Sequence, residues 1–329
     1  MDLDSLAINE VKSTAVPQLL TLLTDFGLED AYVGIMKGVI LTLAPQATIV
    51  DLTHQIPPQD LWAARFNLMN AVPYLPPGTV HVAVVDPGVG SQRRGVAIQL
   101  PDCFLVGPDN GIFSGVLAPY MSQGQPITVV SLTNPEYWRS PTTNTSKGSL
   151  QPSTTFHGRD IFAPVAAHLL TGIEIHQLGQ VLNPRSLVSL DLPPLQQQGG
   201  EMVGCVQYGD RFGNLITTIP ADLVKAPRWH LTIGSLVVPG HATYASVELG
   251  QPLALVGSHG WVELAVNGGS ARDYARKYVN AFVSNDFVSN DFASEEYPFF
   301  FPDCAGESNP PRNALIGCPI SLKLLSENA

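Results

Sequence analysis

The stretch Leu19-Leu20-Thr21-Leu22-Leu23-Thr24-Asp25-Phe26-Gly27, continuing from Tyr32 to Leu43 and closed by Pro45, decides the fold class. Its first five residues are a short apolar run that stops at a polar turn, as a strand buried on both faces does. From Tyr32 onward the apolar residues fall near helical spacing, and Pro45 cannot continue a helix. Strand, turn and helix therefore follow one another within about one βα unit.

The same alternation recurs downstream. Thr48 to Leu52 reads as a second strand, and Asp60 to Ala71 as a second helix with Asp60 at its N-cap. Val80 to Val85 is a β-branched strand stopped by Asp86-Pro87-Gly88-Val89-Gly90. Gly95 to Leu100 and Cys103 to Val106 read as further strands, and Ile161 to Leu170 as a helix. An α/β N-terminal domain is expected over 17–191, with a central, mostly parallel sheet flanked by helices. The Pro- and Gln-rich run at 192–200 reads as a linker. Beyond it, Met202 to Tyr208, Leu215 to Ile219, His230 to Ile233, Ser235 to Val238 and Leu253 to Val256 are short strands at close spacing. They predict a smaller all-β barrel or sandwich domain over 201–329. Two segments read as insertions: the Ser/Thr-rich 139–155, and 282–312 with its tandem Phe-Val-Ser-Asn-Asp repeat, before a last strand at Leu315 to Leu325.

Composition narrows the function. The chain has 329 residues, 45% apolar and only 14% charged, against roughly 25% charged in an ordinary soluble domain. A net charge of −11 argues against general binding to a phosphate backbone and favours a small cationic ligand. No stretch reaches the roughly 20 apolar residues of a membrane helix. The acidic start lacks the basic and apolar regions of a signal peptide. Cys103, Cys205, Cys304 and Cys318 are scattered with no paired spacing, so a reduced, cytoplasmic protein without a zinc site or other cofactor is expected.

Because charges are scarce, their clusters stand out. Thr24-Asp25-Phe26-Gly27 with Asp30, Asp86 with Arg93 and Arg94, and Asp109-Asn110-Gly111 each follow an apolar strand, where ligands of open α/β sheets bind. Phe156-His157-Gly158-Arg159-Asp160 opens a helix and combines acid–base, cationic and anionic groups. Asp109-Asn110-Gly111 reads better as a plain turn, and His54 and His81 as structural histidines. Asp-Phe-Gly lacks the companion motifs of a kinase. Gly88-Val89-Gly90 has Arg93 where a dinucleotide fingerprint needs glycine, and there is no phosphate loop or nucleophile elbow.

Taken in order, several motifs resemble one family. They are Thr24-Asp25-Phe26-Gly27 with Asp30, Gly34-x-Met36-Lys37-Gly38, Asp51-x-x-His54-x-Ile56-x-Pro58, Val85 to Gly90 with Arg93-Arg94, Gly107 to Gly111, and Phe156 to Pro164. Gly209-Asp210-x-Phe212-Gly213-Asn214-Leu215 and Gly257-Ser258-x-Gly260-x-x-Glu263 continue the series. Over residues 18 to 275 the chain resembles the S-adenosyl-L-methionine hydroxide adenosyltransferases, relatives of the fluorinases and chlorinases. The resemblance implies attack of water or hydroxide on C5′ of S-adenosylmethionine, giving adenosine and L-methionine. It implies Asp86, Arg93 and His157 as the catalytic set, with His157 accepting or relaying a proton. Asp25 is then expected at the ribose hydroxyls, Asp30 and Asp210 at the methionine ammonium, Ser258 at its carboxylate, and Phe212 and Asn214 near the adenine. His259 stands where some halide-using relatives carry arginine. Those relatives also have other residues at the Asp86 position and a serine at the Gly158 position, so the hydroxide branch fits better. A homotrimer with sites between subunits is implied as well. The competing expectations are a halide adenosyltransferase and a non-catalytic binder of S-adenosylmethionine or adenosine.

Overall fold

Eleven elements, from β1 to β7 with four helices among them, build the first half of the chain in the computed structural model, which describes residues 18–139, 151–279 and 315–325. Most of the expected 139–155 insertion, and all of the expected 282–312 insertion with its repeat, lie outside the described residues. The chain divides into two compact units, residues 1–64 with 71–189, and residues 65–70 with 190–329.

In the first unit β1 (Leu19–Thr24), α1 (Tyr32–Leu43), β2 (Thr48–Thr53), α2 (Leu61–Ala71) and β3 (Thr79–Val84) are followed by β4 (Gly95–Gln99) and β5 (Cys103–Pro108). Then come α3 (Ser114–Ser122), β6 (Thr128–Ser131), α4 (Ala163–Leu170) and β7 (Gln180–Leu182). The sheet runs β2-β1-β3-β5-β4-β6-β7. Its β2-β1-β3-β5 half is parallel, as expected, whereas β4, β6 and β7 extend it antiparallel, so the whole sheet is mixed. Val33, Met36 and Ile40 supply the buried stripe of α1, and Met36 and Ile40 join Leu20, Leu22, Val82 and Phe162 in one core. Asp60 caps α2, its Oδ1 accepting from the Ala63 N–H at 2.9 Å. Inside the sheet, Thr21 Oγ1 lies 2.8 Å from His81 Nδ1, while His81 Nε2 is buried with no hydrogen-bond partner among the described residues. Burial pushes the His81 pKa down to about 4, so that ring is neutral and structural.

The second unit holds β8 (Gln196–Gln198), β9 (Glu201–Gly209), β10 (Leu215–Pro220), β11 (Trp229–Ile233), β12 (Leu236–Pro239), β13 (Pro252–Val256), β14 (Trp261–Val266), α5 (Ala271–Val279) and β15 (Pro319–Leu324). Within the expected linker, residues 196–198 fold back on β9 through the turn Gly199-Gly200, where both glycines have positive φ. All strand pairs here are antiparallel, in the order β12-β11-β15-β9-β10-β14-β13. Just past β12, a bridge between Gly240 and Ala254, with the His241 N–H on Ala254 O at 2.7 Å, brings the two ends of that sheet together into a nearly closed barrel. Ala271, Ala275 and Val279 of α5 pack into its core beside Leu231, Ile233 and Leu264. The last strand begins at Pro319, after a turn over 315–317.

Candidate active site

The turns after β1 and β3, and the segment before α4, carry the charged groups expected at the site in the first unit. Asp86 follows the fully buried β3, and Arg93 precedes β4. Arg93 Nε donates to Asp86 Oδ1 at 2.8 Å, and Arg93 Nη2 donates to Asp86 Oδ2. Both side chains are nearly out of solvent, at 7% and 6% exposure, so this bidentate pair satisfies charges that could not be buried alone. The guanidinium also lies 5.4 Å over the Phe162 ring. The turn between the two residues depends on Gly90, whose φ is +78° and whose missing Cβ would stand 2.3 Å from Thr154 O.

Arg93 Nη2 also lies 2.7 Å from His157 Nδ1. A guanidinium only donates, so Nδ1 must accept, and a neutral imidazole then carries its hydrogen on Nε2. Burial lowers the His157 pKa, the Arg93 charge lowers it further, and Asp86 and Asp160 oppose the shift. His157 is therefore held neutral, as one tautomer. Its backbone is set by a single turn of π-helix over Gly158–Phe162, where a regular α-helix from Ile161 was expected. Such wide turns recur at functional sites. Asp160 anchors this turn: its carboxylate accepts from Arg159 Nε at 2.7 Å and from the Ser153 N–H at 2.9 Å, and its carbonyl accepts from the Arg139 N–H at 2.9 Å. Burial raises the Asp160 pKa, but these hydrogen bonds and the two arginine charges outweigh it and hold the group ionised. Gly158 packs tightly as well: a Cβ there would lie 3.2 Å from Met36 Sδ and 3.3 Å from Phe156 Cε2.

Asp25 belongs to the same neighbourhood. Burial raises its pKa, its own and the Gln59 backbone N–H oppose this, and the charge of Asp86 adds to the rise. The Gln59 N–H donates to Asp25 Oδ2 at 2.8 Å. Among the described residues Gln59 is the one non-glycine with a left-handed backbone, φ 65°, a conformation that costs about 1–2 kcal/mol. Sequence reasoning missed Gln59, since its contribution is main-chain geometry. Asp30 stands exposed in the turn before α1.

The second unit holds the other expected residues. Asp210, at the end of β9, accepts from Asn214 twice, Oδ1 from its N–H at 2.8 Å and Oδ2 from Nδ2 at 2.9 Å. Gly213 closes this turn with φ +88°, and a Cβ there would meet Ser270 Oγ at 2.3 Å. Asn214 is buried, while Phe212 stands out at 77% exposure. Ser258 is exposed in the turn between β13 and β14. Its neighbour His259 does not take the part of an arginine. His259 Nδ1 accepts from the Trp261 N–H at 3.2 Å, and Nε2 lies 2.8 Å from Glu263 Oε2. Glu263 in turn accepts from Tyr244 Oη at 2.5 Å. Both ring nitrogens are thus spent inside the protein, and Tyr244 with buried Glu263 forms a strut beneath Ser258. Among the described residues no group of three His, Cys, Asp or Glu side chains is arranged to hold a metal ion, and no helix is long and apolar enough to cross a membrane.

Comparison with known proteins places the chain in a family. The (R)-S-adenosyl-L-methionine hydrolase of Thermus thermophilus is 42% identical over 252 residues, 76% of this chain and 92% of that protein. A fluorinase of Actinoplanes is more distant, 26% identical over 271 residues, covering 76% of this chain and 91% of that one. The crystal structure of an uncharacterized conserved protein from Thermotoga maritima superposes with a TM-score of 0.69 at 33% identity, over 78% of this chain and 95% of its own. Residues 20–179 match the SAM hydroxide adenosyltransferase N-terminal domain and residues 204–280 its C-terminal domain. The chain belongs to the SAM hydroxide adenosyltransferase family.

Proposed function

We propose that this protein hydrolyses S-adenosyl-L-methionine to adenosine and L-methionine, with Asp86, Arg93 and His157 handling the nucleophile. The observation that carries the reading is the hydrogen bond from Arg93 to His157 Nδ1. It leaves the Nε2–H of a neutral ring to grip a water or hydroxide oxygen. The sulfonium is already a good leaving group, so no proton need be delivered to it. The hard part is the nucleophile, and aligning one partly desolvated oxygen with the C5′–S bond supplies effective molarities up to roughly 10⁵–10⁸ M. As the C5′–O bond forms, the C5′–S pair moves to sulfur and gives a neutral thioether, and the water proton leaves to solvent. In this arrangement His157 orients the oxygen rather than taking its proton, because its one free nitrogen already bears hydrogen. Asp86 fixes Arg93, and Arg93 fixes the tautomer.

The substrate roles follow the charges. Asp25 takes the ribose hydroxyls, Asp210 and Asp30 the ammonium, Ser258 the carboxylate, and Phe212 with Asn214 flanks the adenine. S-adenosylmethionine is then substrate rather than cofactor, and no other cofactor is needed. A cytoplasmic homotrimer, with sites completed by a neighbouring subunit, is part of the same reading. It is supported by the apolar side chains Leu28, Tyr32, Ile35 and Leu43, which stand exposed around α1. Incubation with S-adenosylmethionine in ¹⁸O water tests the chemistry. Label in the adenosine 5′-oxygen is expected. A 5′-halo-nucleoside in the presence of halide, or no product at all, would overturn the hydrolytic reading.

A further inference from the structure

Beneath the Asp25 turn runs a chain of polar groups that the proposed chemistry leaves unused. Thr24 Oγ1 lies 2.8 Å from His54 Nδ1 and accepts from the Phe26 N–H at 3.2 Å. The carboxylate of Asp51 beside Nε2 favours the imidazole hydrogen on that nitrogen, and Nδ1 then accepts from the Thr24 hydroxyl. Nε2 lies 3.1 Å from Asp51 Oδ1, and no other group among the described residues bonds it. Asp51 Oδ2 accepts from Lys37 Nζ at 2.6 Å. The ring is 3% exposed. Its backbone joins in too, since the Gly27 N–H donates to His54 O at 2.8 Å. His54 thus binds the residues on both sides of Asp25, by side chain before it and by main chain after it. From the opposite side, the Gln59 N–H holds the carboxylate itself at 2.8 Å.

This is more order than a turn needs. A carboxylate that accepts from two neighbouring hydroxyls must keep both oxygens in one plane and one place, and a free Asp side chain spends conformational entropy to do so. A strained backbone on one side and a locked imidazole on the other remove that freedom before the ligand arrives.

We propose that His54, held between Thr24 and the Asp51–Lys37 ion pair, is a positioning residue that fixes the Asp25 carboxylate for the ribose diol of a nucleoside substrate. The proposal rests on Asp25 reading that diol, and the test separates the two. Kinetics with S-adenosylmethionine and its 2′-deoxy analogue are compared for wild type, Asp25→Asn, His54→Gln and His54→Asn. Glutamine cannot reach the position of Nδ1, whereas the asparagine amide overlies it and keeps the Thr24 link. Asp25→Asn should abolish the preference for the ribose substrate. His54→Gln should raise KM for S-adenosylmethionine about tenfold, the scale of one hydrogen bond, and shrink the preference by the same factor. His54→Asn should keep most of it. If Asp25→Asn keeps the preference, the diol reading fails and takes the proposal with it. If Asp25→Asn loses it but His54→Gln keeps it, or weakens both substrates equally, the positioning role alone is overturned. Should His54→Gln not fold, Asp51→Asn at the exposed end of the chain carries the test, with a loss of preference of roughly two- to threefold expected.

Discussion

Two carboxylates expected at the site from sequence, Asp86 in the first unit and Asp210 in the second, are held in opposite ways. Asp86 is clamped bidentately by Arg93, so its charge is cancelled where it sits. Asp210 is held as firmly, but by the uncharged N–H and amide of Asn214, and no lysine or arginine of the described residues forms an ion pair with it. Rigid and neutralised suits an oxygen nucleophile, which a bare carboxylate would repel. Rigid and uncompensated suits an ammonium. The acidic balance of the chain thus matters locally only where a carboxylate is fixed by neutral donors.

The largest break in that comparison comes from Arg93→Met. It leaves Asp86 buried without its partner and frees His157 to change tautomer. Turnover should fall by roughly 10²–10³-fold, the worth of one preorganised hydrogen-bond donor, while substrate binding, measured by calorimetry, changes little. Equal loss in binding and turnover would deny the division between the two carboxylates. The same variant has a spectroscopic readout. Burial and Arg93 both lower the His157 pKa below 6.5 in the native protein. Protonation would place a hydrogen on Nδ1 against the guanidinium, so activity should rise with pH through that depressed value. Removing Arg93 deletes one lowering influence and leaves Asp86 and Asp160 to raise it. NMR titration of the ring in Arg93→Met should therefore show an upward shift.

Asp210→Asn is the complementary cut. It removes the charge at constant size, with the Asn214 amide turned over so that its oxygen accepts from the new amide. One charge-assisted hydrogen bond, about 1.5–3 kcal/mol, predicts a KM raised by tens of fold with kcat nearly unchanged. A fall in kcat alone would place Asp210 with the chemistry instead. The smallest effect belongs to Asp60→Ala, which touches neither carboxylate. Losing the cap of α2 should cost about 1 kcal/mol, seen as a lower Tm, with kinetics intact.

What could be read before any coordinates was the pairing of apolar strands with polar turns, because a strand buried on both faces has no other place to put charge. α1 and the cap at Asp60 follow from periodicity and side-chain chemistry alone. Elements whose sequence contradicts their environment escaped notice. β14 hides a buried glutamate, Glu263, that His259 and Tyr244 satisfy from elsewhere in the chain. α3 carries Pro119 inside it, and α5 is mostly polar. The antiparallel half of the first sheet is set by pairing between distant strands, which local pattern does not encode. At the site, the residue types were legible but their hydrogen-bond directions were not. His157 is expected from sequence to accept or relay a proton, and what the sequence does not carry is that Arg93 makes Nδ1 an acceptor and leaves the ring hydrogen on Nε2. His54, read as structural, is buried as expected, yet its partners lead to Asp25.

The tight packing at Gly158 bears on how readily such a protein could change its nucleophile. The family resemblance implies serine at this position in the halide-using relatives, which makes that substitution the first step toward a halide site. Here the new Cβ would press on Met36, which is fully buried in the core beneath α1, and on Phe156. A lone Gly158→Ser change would therefore be felt as overpacking before it could offer its hydroxyl to an anion. Met36 must give by a few tenths of an ångström to seat the new side chain, so a smaller residue at position 36 should make Gly158→Ser easier to accommodate.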